Sequence, residues 1–268
     1  MSTLQRIECQ WCHSQSPAGA RTCENCGAPL DVANLVSDSG WREAPRVRDM
    51  TELSFGKDST CQLEGELVPV AELRLGQDDS VIYEHHVMLW KDEGVRQSML
   101  RLAGGVKRMF GGLPYRVVVA SGPGRVAFSR DAAGELVVLR LHPEMELDVR
   151  EHAFLVASHT IDYSFVPIKG FRNHLHGGQG MYMDRFVTKE HGGLLILHGF
   201  GNVFERLLRQ DETILVEPGG FLYKDSSVTM SVEQQKVRTG MLRHGLYLAR
   251  MTGPGRVGIQ SMYHHHGH

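Results

Sequence analysis

Three stretches of this chain align on one another without a gap: "LGQDDSVIYEHHVMLWK" from Leu75, "LHPEMELDVREHAFLVA" from Leu141 and "LRQDETILVEPGGFLYK" from Leu208. Their starts lie 66 and 67 residues apart. A period of that length constrains the fold more than any other feature, because each copy must be a supersecondary unit that covers its apolar face with its neighbours. A leucine opens each unit, and an acidic residue follows in a turn at Asp78, Glu144 and Asp211. Val81, Leu147 and Ile214 come next, then Tyr83, Val149 and Val216 two positions on, which places both sets on one face of a strand. After a break, Met88, Phe154 and Phe221 precede Leu89, Leu155 and Leu222. Each unit therefore reads as strand, turn, strand.

Glycine punctuates the same period. "GPGRVAFS" from Gly122, "GFGNVF" from Gly199 and "GPGRVGIQS" from Gly253 each follow a unit, and "TKEHGGLLILH" from Thr188 reads as an insertion ahead of the middle motif. A glycine in step with a structural period serves a tight bend, where it tolerates φ above zero and where Pro123 or Pro254 fixes the adjoining φ. Gly253 to Gly258 satisfies the dinucleotide template, yet the chain ends at His268 and leaves no room for the βαβ unit such a loop must open. With few segments of helical period, the expected fold is mainly β. Residues 51–263 form a three-repeat, pseudo-threefold β-sandwich or barrel whose two ends meet and leave no exposed edge.

The N-terminus carries a different signal. Cys9 with Cys12, and Cys23 with Cys26, form two Cys-x-x-Cys pairs. Each pair chelates through one tight turn, and four thiolates complete a tetrahedral Zn²⁺ shell with no open position, which marks a structural site. Gly27 supplies the turn after the second pair, and His13 is read as a loop residue. Residues 1–30 thus resemble the short zinc ribbons appended to larger bacterial proteins, with residues 31–50, bent at Gly40 and Pro45, as a linker. So small a piece has almost no core, and metal binding on the order of 10 kcal/mol or more must carry its folding. Cys61 is read as a small buried hydrophobe.

Charge narrows the partners. The formal net charge is -2 and the pI about 6.7, and in the ribbon Arg6 and Arg21 face Glu8 and Glu24 while thiolates on Zn²⁺ add negative charge. Phosphates are repelled, and Trp11 alone is too little for a base-stacking platform. A protein partner or self-association is expected and nucleic acid is not. No uncharged apolar run of about 18 residues occurs, and the N-terminus lacks the basic start and apolar middle of a secretory signal. The expected location is a bacterial cytoplasm, where thiolates persist.

The triple unit, "GGVKRMFGG" from Gly104, "GPGRVAFS", "REHAFLVAS" from Arg150, "GFRNHLHGGQGMY" from Gly170 and the closing "GPGRVGIQS" together resemble the AIM24 family across roughly Thr51 to Tyr263. The resemblance implies a β-rich fold of three repeats akin to tryptophan-attenuator-like folds, and no established enzymatic activity. It transfers a fold and no catalytic residue.

The residues themselves point the same way. His85, His86 and His152 fall in the hairpin columns and are expected as exposed turn residues. His174 and His176 could chelate a metal as a cupin pair does, but no glutamate follows them. His264, His265, His266 and His268 form a tail that binds metals adventitiously. Ser158 and His159 are adjacent and point to opposite faces of a strand. Lys107 and Arg108 suit a solvated face or a small basic rim. The expectation is a non-catalytic binding or scaffold protein whose zinc ribbon recruits a partner. A nucleic-acid-binding regulator and a His-dependent metalloenzyme stand as alternatives.

Overall fold

Apolar alternation along the leucine-led units resolves into strands. A computed structural model of the chain describes residues 6–9, 11–12, 14–31, 34–44, 52–100, 117–168, 182–239 and 242–262. The strands among these residues pair antiparallel, and a 3-10 turn lies at Pro218–Gly220. The N-terminal part holds β1 (Arg6–Glu8), β2 (Gln15–Pro17), β3 (Leu35–Val36), β4 (Arg42–Glu43), β5 (Glu52–Phe55) and β6 (Ser59–Glu64). Among the described residues, six strands follow in each unit. The first has β7 (Val70–Leu75), β8 (Ser80–Glu84), β9 (Met88–Lys91), β10 (Arg96–Met99), β11 (Val117–Ser121) and β12 (Gly124–Ser129). The second has β13 (Gly134–Leu141), β14 (Glu146–Arg150), β15 (Phe154–Ser158), β16 (Ile161–Pro167), β17 (Tyr182–Thr188) and β18 (Gly193–Phe200). The third has β19 (Val203–Leu208), β20 (Thr213–Val216), β21 (Phe221–Asp225), β22 (Thr229–Thr239), β23 (Leu242–Thr252) and β24 (Gly255–Gln260).

One pairing scheme recurs. The opening strand of each unit pairs with its last, so that Leu75 faces Gly124, Leu141 faces Gly193 and Leu208 faces Gly255. The second strand pairs with the fifth in β8 with β11, β14 with β17 and β20 with β23. This register corrects the middle glycine motif. The counterpart of Gly124 and Gly255 is Gly193, inside the stretch expected to be an insertion, while Gly199 lies within β18 and Gly201 (φ 68°) turns into β19. Gly192-Gly193 carries no proline, so its likeness to "GPG" is hidden in the sequence.

These corners carry the chain from one sheet into another, since β11 and β12, β17 and β18, and β23 and β24 each lie in different sheets. Backbones cross closely there. A Cβ on Gly122 would stand 2.1 Å from the Gly76 carbonyl oxygen, and one on Gly253 2.3 Å from that of Arg209. A side chain at the end of each unit's third strand caps the strand beyond the corner: Asp92, Ser158 and Asp225 accept the backbone N–H of Arg125 (2.8 Å), Leu194 (3.0 Å) and Arg256 (2.7 Å).

Adjacent units share sheets through β8 with β15 and β14 with β21. The result is a six-stranded sheet (β10-β11-β8-β15-β18-β13), a seven-stranded sheet (β16-β17-β14-β21-β24-β19-β4), a five-stranded sheet (β5-β6-β7-β12-β9) and two three-stranded ones (β20-β23-β22 and β2-β1-β3). Three apolar layers lie between them. Leu73, Phe128, Tyr83 and Ile196 fill the first, Phe154, Phe186, Leu147 and Leu195 the second, and Leu208, Phe221, Met251 and Val257 the third. Each such side chain contributes roughly 1.5–3 kcal/mol by leaving water. The final strand β24 is tied into a sheet between β21 and β19, as the sequence implies. Closure into a barrel is not observed. Among the described residues the third junction, which would join β20 to β9, is not made, and both strands end their sheets.

Part of the stretch read as a linker, residues 34–44, carries strands. β3 pairs with β1, extending the ribbon sheet past Leu30, and β4 pairs with β19. Short apolar and charged residues there, Leu35 and Arg42, find partners that local sequence does not reveal.

Candidate metal centre

Two tight turns bring the four N-terminal cysteines together. In the first, the Cys9 N–H donates to the Ser14 carbonyl at 2.9 Å, folding Cys9 and Cys12 back toward β2. In the second, Gly27 with φ 72° lets its N–H reach the Cys23 carbonyl at 2.9 Å. All four Sγ atoms lie within 4.8 Å of one another, with Cys9 to Cys26 at 3.6 Å and Cys12 to Cys23 at 3.5 Å. A tetrahedral ion bonded to sulfur at 2.3 Å requires edges of about 3.8 Å, so the donors fit Zn²⁺. A disulfide would need about 2.05 Å, and every cysteine of the chain is a free thiol.

Spacing alone did not single out Ser14. Its hydroxyl lies 2.9 Å from Cys12 Sγ and 3.1 Å from Cys23 Sγ, and it draws both thiols down, Cys23 to about 5. Cys26 moves the opposite way, to about 12: the Ala28 N–H favours its thiolate, but Cys12, burial and Cys9 outweigh that pull. Sulfurs this close cannot all be anionic without a cation among them. Cys9 and Cys23 are buried and Cys26 is exposed, with Trp11 standing out into solvent beside them. His13 lies outside the described residues.

Arg42 fastens this ribbon to the β domain. From β4 its guanidinium reaches Glu205 (Nε to Oε1, 3.1 Å) in β19 and Glu8 in β1 (3.6 Å). Glu205 is buried and also accepts from the Tyr223 hydroxyl at 2.7 Å. Trp41 lies beneath the Arg206 guanidinium, 5.7 Å from its centre. A polar cleft of about 490 Å³ between ribbon and domain is lined by Arg6, Glu8, Asp38, Arg206, Arg209 and Glu212.

The histidine readings divide. His85 and His86 do sit in a turn, as does His152, but two of them lean on a buried carboxylate and are not simply exposed. Glu84 binds Arg130 at 2.8 Å, His152 Nδ1 at 3.4 Å and His86 Nε2 at 3.5 Å. Burial works against its charge, yet His152 and Arg130 hold it below the usual carboxylate range. Burial lowers His86 against the pull of Glu84. Sequence reasoning missed this cluster, because Arg130 stands 46 residues from Glu84. His174, His176, Lys107, Arg108 and the tail histidines lie outside the described residues. Ser158 is buried and its hydroxyl oxygen accepts the Leu194 N–H at 3.0 Å. Cys61 is buried, and burial pushes its thiol up to about 12. Among the described residues, the four cysteines are the only group of three or more metal-ligating side chains to converge in this way. No helix among them is long and apolar enough to cross a membrane.

Residues 61–262, about three quarters of the chain, match the sequence profile of a family described as "Mitochondrial biogenesis AIM24". No curated protein matches. Among solved structures, protein SPYM3_0169 from Streptococcus pyogenes superposes with a TM-score of 0.58 at 17% identity, covering 76% of this chain and 94% of that one. That likeness is one of fold.

Proposed function

The chain belongs to the AIM24 family, and from that premise we propose that it works as a non-catalytic binding or scaffold protein in a bacterial cytoplasm. A structural Zn²⁺ on Cys9, Cys12, Cys23 and Cys26 holds its ribbon, and the ribbon presents Trp11 to a protein partner. The observation that carries this reading is the join at Arg42: one guanidinium binds Glu8 of the ribbon and the buried Glu205 of the domain. A ribbon so fixed is a rigid platform and not a tethered flag. The sulfur set is complete at four donors, which leaves a bound ion no position for substrate. The described ionisable clusters at Glu84, Asp148 and Glu205 are each consumed by internal ion pairs. Five free thiols suit a reducing compartment.

Metal analysis of the full chain tests the reading. One Zn²⁺ per chain is expected, lost in a Cys12→Ser, Cys26→Ser variant whose β domain still melts cooperatively. A second metal that survives those changes but vanishes with His174→Ala and His176→Ala would favour the metalloenzyme. Retention of mixed nucleic acid that weakens steeply with salt would favour the regulator.

A further inference from the structure

The three units form two internal junctions, and the surface of a third is left over. At the first junction Val156 of β15 faces Tyr83 of β8, and Ala157 faces Ile82. At the second, Tyr223 of β21 faces Val149 of β14, and Lys224 faces Asp148. The corresponding strands for a third junction are β9 and β20, and among the described residues each lies unpaired on one side at the end of its sheet.

Burial confirms that these edges are anomalous within their own pattern. Leu89 and Trp90 of β9 are 56% and 42% exposed, whereas their counterparts Leu155, Leu222, Val156 and Tyr223 are at most 1% exposed. Leu215 of β20 is 40% exposed, against 1% for both Ile82 and Asp148 in the same column. An edge strand that shows apolar side chains and open backbone groups is a template for another strand.

We propose that copies of this chain assemble head to tail, with the free edge of β20 in one copy pairing with the free edge of β9 in the next. The occupant is a second copy because the chain twice makes this contact with itself, and among the described residues its own two remaining edges are not hydrogen-bonded to each other. Both internal registers, shifted by the unit spacings, give one and the same pairing: Trp90 opposite Val216, Lys91 opposite Leu215 and Asp92 opposite Ile214. Such an interface joins two different surfaces, so it propagates to a ring or a filament. The inference rests on the scaffold reading above and names a partner for it.

Sedimentation of the metal-loaded full chain is the first measurement, with Trp90→Lys and Leu215→Lys as variants on the two edges. Concentration-dependent oligomers are expected, weakened at least about tenfold by either substitution, with zinc content and circular dichroism unchanged. Trp90→Cys and Val216→Cys chains, mixed and oxidised, should give a covalent dimer that neither gives alone. A wild-type monomer at all concentrations overturns the proposal. So does assembly indifferent to both lysines, or a Trp90→Cys, Val216→Cys double variant that cross-links only within one chain. Since these changes leave the ribbon intact, their failure is separate from a failure of metal binding or partner recruitment.

Discussion

The Tyr223 hydroxyl donates to the buried carboxylate of Glu205 at 2.7 Å, and that same carboxylate is the anchor for Arg42. Arg256 stands 3.9 Å away on the Tyr223 side. Burial first, and then the Glu205 charge, hold the phenol well above its ordinary range, so it remains a donor at every physiological pH. One interior charge thus couples the hydrophobic layers of the domain to the ribbon outside them.

Removing Arg42 should therefore cost more than removing the phenol. Arg42→Met leaves Glu205 short of its strongest partner in a buried site, a loss of about 3 kcal/mol, whereas Tyr223→Phe costs about 1 kcal/mol because two guanidiniums remain. Urea unfolding gives both values. Limited proteolysis should cut the Arg42→Met chain between ribbon and domain first, and equal losses from the two variants would contradict the anchoring role.

Much of this was legible beforehand, and for identifiable reasons. Leu75, Leu141 and Leu208 betray the units because the spacing tolerates no gaps, and the cysteines betray their centre because two chelate turns have a fixed length. The middle corner was misplaced because "GFGN" at Gly199 imitates "GPGR" more closely than Gly192-Gly193 does, although only the latter pair faces Leu141. Ser14, Arg130 and Arg42 are ordinary polar residues whose partners lie far off in sequence or across a turn. Nor could the sequence show which junction stays open, since Leu89 and Trp90 are as apolar as the residues that are covered elsewhere.

The corners should be intolerant of a methyl group. Gly253→Ala sets a Cβ 2.3 Å from the Arg209 carbonyl oxygen and 2.9 Å from that of Leu208, both backbone atoms. Neither can swing aside, so a loss of about 3 kcal/mol is expected. Gly19, whose Cβ would meet nothing within 4 Å, is the control, and Gly19→Ala should leave the urea midpoint unchanged.

Ser14 should tune the metal without being a ligand. Its hydroxyl touches two of the four sulfurs, and loss of such a supporting hydrogen bond lowers metal affinity roughly 10–100-fold. Competition of Ser14→Ala with a chromophoric chelator measures this. The variant should still bind one Zn²⁺ per chain, in contrast to Cys23→Ser, and an unchanged affinity would remove Ser14 from the centre.

Acid stability should depend on His198, which is buried in β18 with Nε2 3.1 Å from the Ala132 carbonyl oxygen. Burial, and after it the charge of Arg130, push this imidazole down to about 4 from its ordinary 6.5. The unfolded chain takes up the proton first, so between these values it binds more protons than the folded one, and stability rises with pH. The contribution is complete above about pH 6.5 and is lost as pH falls, by on the order of 3 kcal/mol near pH 4. The depressed carboxyl of Glu84 gives way only below the ordinary carboxylate range, beneath most of this window. His198→Gln, which keeps a donor for Ala132, should flatten the slope of unfolding free energy between about pH 6.5 and 4. A slope as steep as that of the wild type would place the acid sensitivity elsewhere.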